Sequence, residues 1–293
     1  MINQPAAPSR TQRWRDRRGT FVPSASVINP NDYAVEIISS EKVAAPFLAA
    51  HHYIGTLPLR LLSCGLYRNG RGGRSELVGV ATFSQPVNNA SIPLRTGLVG
   101  HNQACDLGRL VLVDDVPGNG ETWFVSRAFK LLRAERPEIE SVIAYSDPML
   151  RRGADGKMVL PGHVGHVYAC LGAASTGRTQ PRKRFVMPNG AILSERAISK
   201  ISNGETGEEY AIGQAVAGGC PAPERGEKGS AYIARLKKEK WLSPEHHPGC
   251  HPYTFALTRK ARKAMSGVPI SPAPKRDYSV QEGDVTLLPL FAS

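Results

Sequence analysis

Three short stretches of the sequence contain side chains that can transfer protons. Each stretch lies at or near the end of a predicted helix or strand. His52 and Tyr53 follow a predicted helix, Asp147 follows a predicted strand, and Tyr168 ends the stretch GHVGHVY. Imidazole, phenol and carboxylate groups can exchange protons with a substrate, and a Tyr ring can also stack on a nucleic-acid base. Each group also has a structural interpretation, namely a solvated His, a packing Tyr or a turn-forming Asp-Pro. We therefore nominate His52, Tyr53, Asp147 and Tyr168 as catalytic candidates.

A second set of residues is suited to binding a substrate or a donor. Gly118–Gly120 precedes a predicted helix, and backbone N–H groups at a helix N-terminus favour phosphate, although the fuller glycine pattern of a phosphate loop is missing. The stretch His246–His251 (HHPGCH) contains zinc-ligand types, but no second ligand pair has finger-like spacing, so no metal ligand is assigned. The candidates for substrate or donor binding are Arg109, Gly118, Asn119, Gly120, Ser146 and His163.

The charge of the chain indicates a polyanionic partner. Its 293 residues include 37 Lys and Arg against 25 Asp and Glu, a formal net charge of +12. The excess lies mainly in residues 10–18, 178–184 and 225–263, which leaves a nearly neutral body. A solubilising surface is the alternative explanation, but three separate clusters favour a nucleic acid as the partner. The predicted DNA-binding residues are Arg10, Arg13, Arg15, Arg17, Arg18, Arg182, Lys183 and Arg184.

Composition excludes several other classes of protein. The chain is 41% hydrophobic, enough for a buried core, yet it has no apolar run of membrane-spanning length and no secretory signal pattern. Five scattered cysteines without a CxxC pair suit reduced thiols, so we expect a cytoplasmic protein. The sequence does not reveal the oligomeric state.

The elements that must position these residues follow from hydrophobic periodicity and turn signals. Two strands flank the hairpin signal NGRGGRS, and a later strand–helix–strand order predicts a right-handed parallel crossover. Ligands bind beyond the carboxyl ends of strands in such sheets, where Asp147 lies. The main predicted elements are strands at 35–38, 60–68, 76–83, 107–113, 141–145, 185–187 and 253–257, and helices at 41–51, 121–136, 165–172 and 232–240.

The predicted organisation is one α/β (α+β) domain with two terminal extensions. Residues 1–30 are expected to form a flexible basic arm, residues 31–265 the catalytic domain, and residues 266–293 a tail. Within the domain, residues 149–161 look like an inserted loop. Residues 203–229 are rich in Gly, Glu and Pro without a period, which indicates an insertion or a disordered excursion.

The order of several short motifs resembles the bacteriophage Mom family of DNA-adenine modification proteins, within the GNAT-like acyltransferase superfamily. The motifs are AAHHYIGT (49–56), GVATFSQP (79–86), LGRLVLVDDVPGN (107–119), IAYSDP (143–148), GHVGHVYACLG (162–172) and CHPYTFAL (250–257). The resemblance implies a GNAT-like mixed, centrally twisted sheet flanked by helices. It also implies conversion of adenine in phage DNA to N6-carbamoylmethyladenine, which blocks host restriction enzymes, and therefore double-stranded DNA as the partner. The matched site positions are His52, Tyr53, Asp147 and Tyr168.

Two departures from that family concern the donor and one loop. Residues 151–161 lengthen the connection between Asp147 and Tyr168, and the acyl-CoA glycine loop is poorly formed. The cofactor or donor therefore stays unknown, with acyl-CoA or another activated acyl donor of a two-carbon unit as options. Two other functions stay open: a GNAT N-acyltransferase acting on a small amine or a protein, and a non-catalytic DNA-binding protein.

Overall fold

The computed structural model describes residues 10–15, 18–23, 26–70, 75–152, 156, 158–160, 162–274 and 286–287. Its strands are β1 Arg10–Arg15, β2 Arg18–Pro23, β3 Tyr33–Ile37, β4 Arg60–Asn69, β5 Ser75–Ser84, β6 Ala104–Leu112, β7 Ser141–Ser146, β8 Arg151–Arg152, β9 Met158–Leu160, β10 Ala174–Ser175, β11 Arg182–Val186, β12 Ile192–Leu193, β13 Ser243–His247, β14 His251–Ala256 and β15 Thr286–Leu287. Its α-helices are α1 Ala45–His51, α2 Ser91–Thr96, α3 Gly120–Glu135, α4 His166–Cys170, α5 Glu195–Asn203, α6 Glu208–Ala217, α7 Gly229–Lys238 and α8 Arg259–Met265. No helix in this part of the chain is long and apolar enough to span a membrane.

The chain divides into two compact units, where the sequence predicted one domain. Unit 1 comprises residues 1–148, 163–178 and 250–293, and unit 2 comprises residues 149–162 and 179–249. Each unit has its own cluster of buried apolar side chains.

A mixed seven-stranded sheet flanked by helices forms the centre of unit 1, which confirms the predicted fold class. The strand order is β10-β14-β7-β6-β5-β4-β3. Only β6 and β7 pair in parallel among these strands, and α3 connects them as the predicted crossover. The buried stripe of α3 contains Phe124, Ala128 and Leu132, as the helical spacing predicts.

Alternating side chains of the sheet face different helices. Ala81 and Leu112 belong to the same buried cluster as Phe124 of α3, whereas Val80 and Val111 pack with Leu48 of α1. Successive residues of a strand point to opposite faces, so β5 and β6 are covered by helices on both sides.

Strands β6 and β7 pair over only three residues of each. Ala104–Asp106 pairs with Ser141–Ile143, although β6 continues to Leu112 and β7 to Ser146. The two parallel strands are therefore not hydrogen-bonded to each other towards their carboxyl ends. An opening of this kind is where open α/β sheets bind ligands.

A β-bulge lies on β6 at the start of this unpaired part. Thr82 of β5 pairs with Arg109, and Ser84 pairs with Asp106, so β6 contains one extra residue between the two pairs. Thr82 and Ser84 are two residues apart and share a face. Their cross-strand partners Asp106 and Arg109 therefore share that face as well.

The helical segment before His52 begins and ends as the sequence indicates. The Ser39 hydroxyl caps a π-helix (Ser40–Ala44) by accepting a hydrogen bond from the Lys42 N–H at 3.2 Å. Pro46 lies in the first turn of α1, which follows this π-helix directly. The chain leaves α1 at His52 in an extended conformation.

Unit 2 contains a three-stranded sheet, helices α5–α7 and the short hairpin β8–β9. Its sheet has the order β12-β11-β13, and Tyr232 and Leu236 of α7 are fully buried in its core. The hairpin β8–β9 occupies the predicted inserted loop.

The stretch 203–229 has a defined backbone, so the disordered alternative does not describe it. Helix α6 lies within the stretch, and Ala211 and Ala215, four residues apart, are buried against the unit's core. Two alanines give a weak apolar signal, which explains why the sequence pattern missed this helix.

The terminal extensions also contain strands where they are described. β1 pairs with β2, and β15 of the predicted tail adds to β2 in parallel. A strand pairing is thus present where the sequence predicted a flexible arm. Arg17 and most of residues 275–293 lie outside the described residues.

Candidate active site

His52 is a neutral hydrogen-bond donor in this structure. Its Nδ1 atom accepts the backbone N–H of Ile54 at 3.1 Å, so the proton of the neutral ring lies on Nε2. Burial, together with the positive charges of Arg109 and His163, lowers its pKa to about 3. His52 can therefore donate a hydrogen bond from Nε2, and it is poorly suited to accept a proton at neutral pH.

Arg109 places a positive charge next to His52. Its Nε donates to the Thr56 carbonyl at 2.9 Å, and its Nη1 donates to the Gly108 carbonyl at 2.7 Å. Desolvation lowers its pKa, but an arginine remains charged at neutral pH. Among the described residues no carboxylate forms an ion pair with Arg109, so its charge is available to an anionic group of a ligand.

The two candidate tyrosines differ in what they can offer a substrate. The Tyr53 ring stacks on His52 at 4.4 Å between centroids and is half-buried, so part of it is accessible. Tyr168 is only 7% exposed and packs against Tyr253, with ring centroids 5.5 Å apart. Of these two tyrosine rings, only that of Tyr53 is accessible enough for a base to stack on it.

Tyr168 remains a neutral phenol under physiological conditions. Burial raises its pKa, and the neighbouring Tyr53 and Tyr253 raise it further. Its ring also meets His163 edge-on, with centroids 6.3 Å apart. Tyr168 therefore joins the same cluster as His52 and Tyr53, as a buried packing residue with a phenol group.

Asp147 is tied to the segment that leads into α4. Its carbonyl accepts the backbone N–H of His163 at 2.8 Å, and its side chain is half-buried. This bond joins the end of β7 to the residue whose ring contacts Tyr168. Ser146, one residue earlier, is instead fully buried and donates to the His251 carbonyl at 3.4 Å, which is a sheet-packing role.

Glycines at both ends of α4 allow the chain to turn tightly there. Gly165 and Gly172 both have φ of +77°, a left-handed conformation that disfavours other residues. A Cβ atom on Gly165 would lie 2.4 Å from Tyr253 Cε2 and 2.9 Å from Tyr168 Cδ2. Gly165 therefore permits the close approach of the two tyrosine rings.

The predicted phosphate-binding stretch at the start of α3 already forms hydrogen bonds with other residues of the chain. The N–H of Gly118 donates to the Ser26 hydroxyl at 3.0 Å, and the Asn119 side chain accepts the N–H of Ile28 at 2.7 Å. The N–H of Gly120 donates to the Pro117 carbonyl at 2.8 Å. A donor phosphate at this helix end would have to displace residues 26–28, so the stretch fits a CoA pyrophosphate poorly.

Asp106 is a buried carboxyl that the sequence analysis did not nominate. Within the described ranges its Oδ1 is buried without a hydrogen-bond partner, and desolvation raises its pKa to about 7. It shares a face of β6 with Arg109. Desolvation, with the charge of Asp106 as a smaller cause, raises the pKa of the half-buried Tyr145 to about 12. The available signal was an acidic residue among the apolar residues of the strand sequence ACDLGRLVL.

The predicted DNA-binding residues lie on separate elements. Arg182, Lys183 and Arg184 lie on β11 in unit 2, and Arg10, Arg13, Arg15 and Arg18 lie on β1 and β2. Their role in DNA binding stays a prediction.

Fold and site together define a mixed α/β protein with a polar, partly desolvated cluster that includes Arg109 on the unpaired part of a parallel strand. The model of the Mom protein family matches residues 32–217, which is more than half of the chain. The chain therefore belongs to the Mom protein family, a family of phage DNA-modification proteins.

Two further comparisons accompany the family match. A solved structure of a tandem GNAT protein from the clavulanic acid biosynthesis pathway, without AcCoA, is 9% identical. The structural alignment covers 77% of this chain and 99% of the tandem GNAT protein, with a TM-score of 0.36. No curated protein matches the chain.

Proposed function

We propose that this protein transfers a carbamoylmethyl group to N6 of adenine in phage DNA and thereby protects that DNA from host restriction enzymes. The proposal rests on family membership and on one structural observation. On the part of β6 that is not paired with β7, the cationic Arg109 lies close to the neutral His52, in the same unit as Asp147. This set supplies charge stabilisation and a proton acceptor, which the transfer of an activated carbon group to an amine needs.

The base has to leave the duplex before it can react. Its exocyclic amine is paired within the helix, so flipping the nucleotide costs a few kcal/mol. Stacking of the extruded base on the partly accessible Tyr53 ring would return about 1–3 kcal/mol. Tyr168 is buried beneath and would support the pocket by packing instead.

Asp147 is the proposed proton acceptor. In the transfer step the N6 lone pair forms a bond to the methylene carbon of the two-carbon unit, and the leaving group departs with the electrons of its old bond. The amine then carries an excess proton, which the Asp147 carboxylate accepts. Proton transfer of this kind contributes about 10²–10⁴-fold to a rate.

Arg109 and His52 are the proposed stabilisers of negative charge on the donor. Arg109 is held by two backbone carbonyls, and His52 can donate only from Nε2. Donors that are already in place and desolvated stabilise developing charge without reorganisation, and removing one costs about 10²–10³-fold. The chemical class of the leaving group stays open, and no step is assigned to CoA.

Nucleoside mass spectrometry tests the proposal. The full chain is expressed in a bacterium, and total DNA is digested and searched for N6-carbamoylmethyladenine. We expect the modified nucleoside with the native sequence and its loss with Asp147→Asn. Asp32→Asn, which alters an exposed carboxylate of the same unit, is the matched control and should leave the product unchanged.

A pair of His52 variants tests the assigned tautomer. Gln can present an N–H donor near the position of Nε2, so His52→Gln should retain more product than His52→Ala. Unmodified deoxyadenosine from a folded, expressed native chain would overturn the proposed function. Acyl transfer to a small amine with indifference to DNA would support the GNAT alternative, and duplex binding without any modification would support a binding protein.

A further inference from the structure

Two lysines of unit 2 lie over the same aromatic ring. Lys183 Nζ is 5.7 Å and Lys237 Nζ is 4.4 Å from the centroid of the Phe185 ring. Lys183 and Phe185 share a face of β11, and Lys237 belongs to α7. We call these three residues the Phe185 patch; both lysines are exposed, and Phe185 packs against the unit's core.

The positive charge of this patch is not neutralised within the described part of the chain. Neither Lys183 nor Lys237 forms an ion pair there. Other cations of unit 2 do have carboxylate partners, for example Arg235, which binds Glu227 at 2.8 Å. The two lysines are therefore different from the paired charges that stabilise the unit's own helices.

The two ammonium groups lie close enough for one extended anion to contact both. Since both lie within about 6 Å of one ring centroid, they are separated by roughly 10 Å or less, a distance at which like charges repel. The ring offsets part of this repulsion by its attraction for cations. An external anion that spans both groups would offset the rest.

Strand alternation shows which part of the basic stretch contributes to the patch. Lys183 pairs with His246 of β13, whereas Arg184 pairs with Glu245 on the opposite face of the sheet. Of the three cations on β11, only Lys183 therefore lies on the same face as Phe185. Lys237 joins it from a helix far along the chain.

We propose that the Phe185 patch binds the phosphate backbone of duplex DNA through Lys183 and Lys237. The proposal rests on the proposed function for its choice of DNA as the partner. Duplex DNA carries a phosphate charge about every 1.7 Å along its axis, so two cations at this spacing can each meet a phosphate. Contacts of this kind position DNA without reading its sequence.

The salt dependence of DNA binding tests the patch in the full-length protein. Each phosphate contact contributes about 0.9 to the slope of log affinity against log salt, so Lys183→Gln/Lys237→Gln should reduce that slope by about 1.8. Between 50 and 200 mM salt, the native chain should then lose about twelve-fold more affinity than the variant. Fluorescence anisotropy with an unmodified labelled duplex measures both values.

Arg225→Gln/Lys228→Gln is the matched control. It removes the same net charge from two exposed residues of unit 2, at the N-terminal side of α7. We expect its slope to equal that of the native chain. Equal slopes for the patch variant and the control would overturn the inference, because net charge alone would then explain binding.

Nucleoside analysis of the same variants separates this inference from the proposed function. A patch-dependent slope in a chain that never modifies adenine would refute the proposed reaction and leave the patch standing. Phe185→Leu offers a second variant that retains an apolar side chain in the core. It should weaken DNA binding less than the double lysine variant, since it removes the ring and leaves both charges.

Discussion

Replacing Gly165 by alanine tests whether the packing of Tyr168 and Tyr253 depends on the missing side chain. A Cβ atom at this position would lie 2.4 Å from Tyr253 Cε2, closer than real Cβ contacts allow. The Tyr253 hydroxyl donates to the Val164 carbonyl, which holds that ring in place. We therefore expect the variant to displace both rings and to destabilise unit 1.

Gly172 provides a control with the same backbone conformation. Its φ is also +77°, and nothing lies within 4 Å of the position that its Cβ would take. The left-handed conformation costs an alanine about 1–2 kcal/mol at either site. Overpacking adds about 1–3 kcal/mol at Gly165 alone. The free energy of unfolding should thus fall by about 1–3 kcal/mol more for Gly165→Ala than for Gly172→Ala.

Urea unfolding of both variants, followed by near-ultraviolet circular dichroism of the aromatic residues, measures this difference. Nucleoside mass spectrometry adds a functional result, because displacement of Tyr168 should lower the yield of modified adenine in Gly165→Ala only. Equal destabilisation by the two substitutions would refute the reasoning, since the shared φ would then account for the whole effect and the ring contacts for none of it.

Three more predictions concern the pH dependence of stability, the site cation and the N-terminal segment. The folded-state pKa of Asp106 is about 7, above its ordinary 3.8, so native stability should fall as pH rises from about 4 to 7. Between about pH 5 and pH 8, Asp106→Asn should remove at most about 3 kcal/mol of this fall. If urea unfolding of the variant showed the same pH dependence as the native protein, the Asp106 carboxyl would be solvated. Arg109→Lys keeps the positive charge but loses the guanidinium that donates to two backbone carbonyls, so the yield of modified nucleoside should fall about 10²-fold. The exposed Arg60→Lys is the control and should keep the native yield. Ser26→Ala removes the acceptor of the Gly118 N–H and should lower the free energy of unfolding by about 1 kcal/mol, whereas unchanged urea unfolding would mean that the bond does not contribute.

Elements with strong local periodicity could be predicted from the sequence. The helix expected at 121–136 is α3 (Gly120–Glu135), and the strand expected at 141–145 is β7 (Ser141–Ser146). Both have apolar side chains at the spacing that burial requires. The parallel pairing of β6 and β7 followed from the connecting helix, because a crossover of this type joins parallel strands.

Features that depend on long-range contacts could not be predicted. The hydrogen bond between Ser26 and Gly118 joins residues 92 positions apart, and it occupies an N–H group just before α3 that a phosphate would otherwise bind. Lys237 meets Phe185 only because α7 packs beside β11 in the same core. Nor does a sequence pattern reveal that Asp106 is desolvated, since that depends on what covers its face of the sheet.

The two groups of cations in this protein should respond differently to salt. Arg109 is half-buried and its charge is held by backbone carbonyls, whereas the charges of Lys183 and Lys237 are exposed. At 0.1 M salt the Debye length is about 10 Å, so interactions of exposed charges over longer distances are largely screened, whereas those of buried charges are screened much less. Raising the salt concentration should therefore increase the amount of DNA needed for half-maximal modification and leave the rate at saturating DNA nearly unchanged. If salt lowered both the apparent affinity for DNA and the rate at saturating DNA, the exposed lysines would act in the chemical step. That result would contradict the separation of DNA binding from catalysis that we propose.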